Sequence, residues 1–156
     1  MRDPFLITTP TIINVSGGRT SALMLRRYLD ANGGRLPAET HAVFANVGRE
    51  RPETLDFLVR CAEAWGVDLR WIERTPGGGF REVTPETASR DGEPLATLFR
   101  ERRYLSNPVT RFCTADGKIQ TARDFMRARG YDHWTSAVGL RYDEPSPVHK
   151  PRARDA

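Results

Sequence analysis

The sequence predicts an α/β domain built on a doubly wound, mostly parallel sheet, and two observations carry that expectation. Short apolar, β-branched runs alternate along the chain with longer segments whose apolar residues recur at helical spacing. The first junction, 12-IINVSGGRTSAL-23, compresses a strand, two adjacent glycines and a helix start into twelve residues.

Ile12, Ile13 and Val15 form the first buried strand, and Ala22, Leu23, Leu25, Tyr28 and Leu29 give the helix behind it. The run 41-HAVFANVG-48 reads as a second buried strand ending in a turn. Pro52 suits a first helical turn, and Leu55, Leu58, Val59, Ala62 and Trp65 make an apolar stripe up to Gly66. A third strand covers 67-VDLRWIER-74. From Thr75 to Glu93, the residues Pro76, Gly77, Gly78, Gly79, Pro85 and Gly92 predict an irregular mobile loop or lid. A helix from Pro94 to Arg103 follows, then a loop around Asn107 and Pro108. The helix from Asp116 to Arg129 carries Ile119, Ala122, Phe125 and Met126 on one face and stops at Gly130. The strand 133-HWTSAVGL-140 closes the pattern. The expected strand order is 3-2-1-4, with right-handed crossovers and helices on both faces. Order then reverses between the first and fourth strands, which places a ligand crevice beyond their carboxyl ends.

With 156 residues the chain fits one domain, assigned to 1–145 with a tail over 146–156, and no internal repeat is found. A net charge of +4 favours anionic partners in general but falls short of the dense basic stripe of a dedicated nucleic-acid binder. A nucleic-acid or small-molecule acceptor fits that balance, as does a plain solvated surface. No apolar run approaches a signal core or a membrane span, so a cytoplasmic protein with no membrane partner is expected, with homo-oligomers left open. Cys61 and Cys113 stand far apart with no CxxC, which argues against a disulfide framework, a zinc ribbon or an iron–sulfur cluster. Cys61 reads as core, whereas Cys113 stays open as a thiol. His41, His133 and His149 are scattered and receive no role.

Gly17 and Gly18 let another molecule approach the main chain, while Ser16, Thr20 and Ser21 bring hydroxyls to the helix start. Unpaired amides there, with the positive end of the helix dipole, make an anion site suited to phosphate. A plain turn with a Thr20 or Ser21 cap is the bland alternative, and the flanking strand and amphipathic helix tip the balance towards phosphate. Neither the Walker pattern nor GxGxxG is present.

Four stretches in order then resemble one known family. SGGRTS resembles the SGGxDS pyrophosphate loop of the PP-loop superfamily, the N-type ATP pyrophosphatases and sulfonucleotide (PAPS) reductases with their adenine nucleotide alpha-hydrolase-like fold. The stretches 44-FANVGRERPETLDF-57, 111-RFCTADGK-118 and 139-GLRYDE-144 resemble the family's second strand, its Cys-x-x-x-x-Lys region and its G-x-R-x-D/E-E/S segment. The resemblance implies that Ser16, Gly17, Gly18, Thr20 and Ser21, with Arg19 among them, wrap the phosphates of ATP or PAPS. It further implies charge from Lys118 and Arg141 at the reacting end, and a nucleotide wall from Asn46, Gly48, Glu50 and Thr54. Asp143 and Glu144 could hold Mg²⁺ through waters or stand as a solvated acidic pair.

The departures are equally specific. Thr20 stands where the family carries a loop aspartate, Cys113 stands singly where cluster-binding relatives have a Cys-Cys pair, and no Glu-Cys-Gly-x-His type tail is present. The chain also stops soon after its fourth strand, as a truncated or minimal member would. The resulting expectation is cleavage of ATP at the α-β bond with adenylation of an acceptor. A PAPS reductase or its remnant, with Cys113 as thiol, and a silent nucleotide- or partner-binding module are the alternatives.

Overall fold

The computed structural model describes residues 1–140 and gives a mixed α/β architecture with a five-stranded, mostly parallel sheet. In chain order its elements are β1 (Thr11–Asn14), α1 (Arg19–Ala31), β2 (Thr40–Ala45), α2 (Pro52–Trp65), β3 (Leu69–Arg74), β4 (Phe80–Val83) and α3 (Glu93–Arg102). There follow α4 (Phe112–Thr114), a π-helical segment (Ala115–Ile119), α5 (Gln120–Ala128) and β5 (Thr135–Val138).

The sheet order is β4-β3-β2-β1-β5. β1 lies between β2 and β5, parallel to both, with Ile13 opposite Ala42 on one side and Ala137 on the other. The expected order 3-2-1-4 therefore needs correction, because a further strand extends the sheet beyond β3. β4 pairs antiparallel with β3, setting Glu73 opposite Arg81 and Arg74 opposite Phe80. This strand lies inside the segment read as a lid. Its glycine run is a hairpin turn, in which the Thr75 amide bonds the Gly79 carbonyl and Gly77, Gly78 and Gly79 all take positive φ. Four residues with no clean apolar alternation gave no strand signal; the pairing comes from the neighbour.

Both faces of the sheet are covered. On one face Ile13, Val15, Ala42, Phe44 and Trp71 pack with Leu25 and Leu29 of α1 and with Leu55 and Leu58 of α2. On the other, Ile12, Val43 and Ile72 pack with Ala122, Phe125 and Met126 of α5. Strand residues alternate between the two clusters, as period-two side chains buried on both faces must. Ile119 was expected on the α5 stripe, yet it is 43% exposed. The π-helical segment explains the difference, since its wider turn rotates Ile119 away from the face that Ala122 and Phe125 occupy.

At the carboxyl end of β3, Glu73 is completely buried. Its Oε1 accepts from Asn46 Nδ2 at 2.8 Å and from the Ser89 amide at 2.6 Å, and its Oε2 accepts from Arg81 Nε at 3.1 Å and Nη2 at 2.8 Å. Asn46 also donates to the Ser89 carbonyl at 2.8 Å. The segment after β4 is thereby fastened to the ends of β2 and β3, and Ala88 is drawn into the core.

Replacing Glu73 by Ala is expected to lower stability by about 2–4 kcal/mol, since a buried polar group left unpaired costs about 1–3 kcal/mol and both Asn46 and the Ser89 amide lose their acceptor. Arg81→Ala should cost about 1–3 kcal/mol, less than Glu73→Ala, because the Asn46 and Ser89 contacts to Oε1 stay in place while the buried Glu73 Oε2 loses its donors. Urea denaturation of both variants checks this; equal losses would mean that the ion pair, rather than the amide contacts, is what holds the segment.

Candidate functional site

The glycine-rich turn lies where chain order reverses. β1 delivers Val15 and Ser16 to the crest of the sheet, Gly17 turns the chain with φ +86°, and α1 starts at Arg19. Gly18 occupies the N-cap position without a side-chain cap. Among the described residues, the amides of Gly17, Gly18, Arg19 and Thr20 carry no hydrogen bond. Neighbouring N–H groups at an uncapped helix start are the donor arrangement that an anion accepts. Ser16, Gly18, Arg19 and Thr20 are exposed, so they form the rim of the turn.

Ser21 has a different position from that expected of a rim hydroxyl. It is buried; its Oγ accepts from the Ser16 amide at 3.0 Å and donates to the Gly18 carbonyl at 2.9 Å. The Ser16 Oγ lies 3.1 Å from the same atom. Ser21 therefore braces the turn from below and leaves Ser16 and Thr20 as the hydroxyls open to a ligand.

The neighbouring wall comes from the loop between β2 and α2. A Cβ on Gly17 would stand 2.5 Å from the Thr54 methyl, which puts the first turn of α2 directly against the glycine turn. Asn46 has no amide hydrogen left to donate, because both go to Glu73 and Ser89, and its Oδ1 accepts from the Gly48 amide at 3.1 Å. Its role in the structure is to shape the loop. Gly48 is packed so closely that a Cβ would meet the backbone of Gly92 at 2.8 Å. Glu50 accepts from Lys118 Nζ at 3.2 Å, bringing the π-helical segment onto the same crest.

The segment after β5 reaches the turn as well. A Cβ on Gly139 would stand 3.1 Å from Ser21 Cα, tighter than ordinary contact, so the backbone of Gly139 rests on the first turn of α1. Gly139 belongs to the quoted 139-GLRYDE-144 stretch but was not singled out there; the absence of a side chain was its signal. Glu73 and Ser89 gave no sequence signal at all, since their partners are distant in the chain. Arg141, Asp143 and Glu144 lie outside the described residues. Among the described residues no group of three or more His, Cys, Asp or Glu side chains is arranged for a metal ion, and no helix is long and apolar enough to cross a membrane.

Cys113 follows the first residue of α4 and is half-buried. A hydrogen bond from Ser106 is the main cause that draws its thiol pKa below the usual value, with Thr114 adding to it. Burial pushes Cys61 the other way. An open hollow of about 420 Å³ lies at the opposite, amino-terminal end of the strands, where Leu36, His41, Val67 and Arg70 line it. None of the described residues expected at the site borders that hollow.

Two outcomes follow from this geometry. Gly17→Ala should destabilise the protein by about 1 kcal/mol or more, through its positive φ and the Thr54 methyl, whereas Gly18→Ala should be nearly neutral because its Cβ position meets only Ser16 Oγ at 3.8 Å. Thermal denaturation distinguishes them, and equal shifts would count against this account of the turn. For the thiols, iodoacetamide should alkylate Cys113 with a pH midpoint below that of an ordinary cysteine, and Ser106→Ala should move that midpoint up. Cys61 should react more slowly at every pH below its raised midpoint.

No protein-family model matches the chain, and no solved structure matches it. The chain is similar to the uncharacterized nin region protein ORF290 of Escherichia phage lambda, with 25% identity over 150 residues. That alignment covers 90% of this chain and 51% of the phage protein, so the chain spans about half the length of the curated relative it matches.

Proposed function

We propose that the chain is an adenine-nucleotide-binding PP-loop protein of Rossmann-like, adenine nucleotide alpha-hydrolase-like fold that cleaves ATP between its α and β phosphates. The observation that carries this reading is the uncapped, glycine-rich start of α1 at the reversal point of the sheet, with four amides unpaired among the described residues and the Gly139 backbone beside it.

The phosphates would rest on the amides of Gly17 to Thr20 and on the hydroxyls of Ser16 and Thr20. Charge-assisted hydrogen bonds contribute about 1.5–3 kcal/mol each, and micromolar affinity corresponds to about 8 kcal/mol net. The turn amides with Lys118 and, as the resemblance implies, Arg141 would supply enough donors for that range. An acceptor nucleophile attacks the α phosphorus, the bond to the α-β bridging oxygen breaks, and pyrophosphate leaves with the electron pair. AMP stays on the acceptor. Positively placed groups aimed at the departing pyrophosphate accelerate such a step without a side-chain base. Mg²⁺ normally takes one or two carboxylates together with phosphate oxygens. The turn itself offers hydroxyls in place of a carboxylate, and Glu50 is engaged by Lys118, so no step is assigned to the metal.

One observation favours a second reading, that of a nucleotide-binding module without turnover. Lys118 is already neutralised by Glu50, and Thr20 offers no charge. In the first reading, phosphate shares the Lys118 ammonium with Glu50 through its remaining donors or draws it away.

The deciding experiment is calorimetric titration with ATP and Mg²⁺, and in parallel with PAPS, followed by assay of pyrophosphate, AMP and sulfite. The adenylating reading expects ATP binding with pyrophosphate release, loss of binding in Gly18→Val with the fold retained, and a fall in turnover of about 10²–10³ in Lys118→Met. Binding without products, unchanged by Lys118→Met, would establish the silent module instead. Sulfite release from PAPS with thioredoxin would support the reductase lineage with Cys113 as thiol, and binding of neither nucleotide would remove the turn from consideration.

A further inference from the structure

The chain's basic residues are 22 arginines against two lysines, and the segment 100-RERRYLSNPVTR-111 holds four of those arginines with a single glutamate. That glutamate is spent elsewhere: Glu101 accepts from Arg74 Nη2 at 2.7 Å and from the Gly77 amide at 2.7 Å. Arg100, Arg103 and Arg111 are exposed, and none has a carboxylate within ion-pair distance among the described residues. Three solvated guanidinium groups lie along one short stretch of chain.

The tertiary structure folds that stretch into a compact ledge. Asn107 Oδ1 accepts from the amides of Val109 and Thr110, which turns the chain back towards α4. Phe112 is buried and sits at the centre, with the ring of Tyr104 edge-on at 5.0 Å, that of Phe99 at 5.8 Å and the Arg102 guanidinium 6.0 Å above it. Arg103 and Arg111 are the chain neighbours of Tyr104 and Phe112, so this ring contact draws together the two stretches of chain that carry them, and both are exposed. Tyr104 is 51% exposed, Leu105 70% and Val109 91%, so apolar and aromatic surface is interleaved with the cations.

Two features tie the ledge to the crest of the sheet. Arg102 is paired with Asp116 of the π-helical segment, whose Lys118 reaches Glu50 beside the glycine turn. Arg103 ends α3 with φ +61°, making it the single non-glycine residue with positive φ among the described residues. Glycine is the usual occupant of that helix-end conformation. Here an arginine takes it at a conformational disadvantage, and its charge is on the ledge.

From these observations we infer that the ledge over residues 100–111 binds single-stranded nucleic acid. Arginines contact backbone phosphates in bidentate fashion, and an exposed aromatic ring offers a base a stacking platform that any sequence can use. A duplex hides its base faces and would use only the charges. The inference does not need the crevice reading, because the ledge residues are separate from the glycine turn.

The probe is a fluorescein-labelled single-stranded oligodeoxynucleotide of about 16 nucleotides, followed by anisotropy, with the same sequence as a duplex alongside. The full chain should bind the single strand more tightly than the duplex, and affinity should fall as salt rises. The triple change Arg100→Gln, Arg103→Gln and Arg111→Gln should weaken binding at least tenfold and flatten the log–log salt slope by about 2, at about 0.7 per phosphate contact. An equal charge loss on α2 and α5, through Arg60→Gln, Arg123→Gln and Arg127→Gln, should change affinity less than about twofold. Tyr104→Ala should cost roughly fivefold or more, and Tyr104→Phe should restore most of it. Arg103→Gly should raise the denaturation midpoint while weakening oligonucleotide binding, an outcome that misfolding cannot produce. Absence of binding at low salt, equal loss in the two triple variants, or an unchanged affinity in Tyr104→Ala would each overturn the inference. ATP titration of the ledge variants tests the crevice separately, since either site can fail while the other holds.

Discussion

A carboxylate withdrawn from water must have its oxygens filled by donors, and Glu73 meets that requirement by gathering three separate pieces of chain. Asn46 comes from the end of β2, Arg81 from β4 and the Ser89 amide from the segment beyond it. Asn46 then orients the Gly48 amide, and Gly48 packs on Gly92. The course of the loop between β2 and α2 is thereby set, which in turn puts Glu50 within reach of Lys118 and Thr54 against Gly17. The crest of the sheet is thus a set of linked contacts that begins in a buried polar network rather than in the apolar core.

The glycine turn uses the opposite strategy. There the amides of Gly17, Gly18, Arg19 and Thr20 have no partner among the described residues, while Ser21 underneath bonds the Ser16 amide and the Gly18 carbonyl and so holds the shape. Such a division suits a rigid anion site: donors fixed in advance need little reorganisation when charge arrives. The same residues that make the turn legible as a motif divide in the structure into a brace and a rim.

Charge on this protein is distributed by secondary structure rather than by composition. A net charge of +4 over 156 residues gives no direction on its own. Direction comes from which arginines are consumed by carboxylates and which remain on a surface. Arg74 and Arg81 are spent within the fold, whereas Arg100, Arg103 and Arg111 are exposed and have no carboxylate partner among the described residues.

Local patterning determined much of this protein. The alternation of strands and helices, the two-sided burial of β1 to β3, the glycine turn at the start of α1 and the apolar stripe of α2 were all legible, because each is a short-range periodicity or a backbone requirement confined to a few residues. What depends on distant partners was not legible. β4 is a strand because β3 lies beside it, Ile119 leaves its stripe because the helix widens to a π turn, and Asn46 shapes a loop because Glu73 and Ser89 take its amide. Only the folded chain could decide these, since burial makes a polar side chain bond to whichever neighbour the sheet delivers, and sequence spacing carries no record of that neighbour.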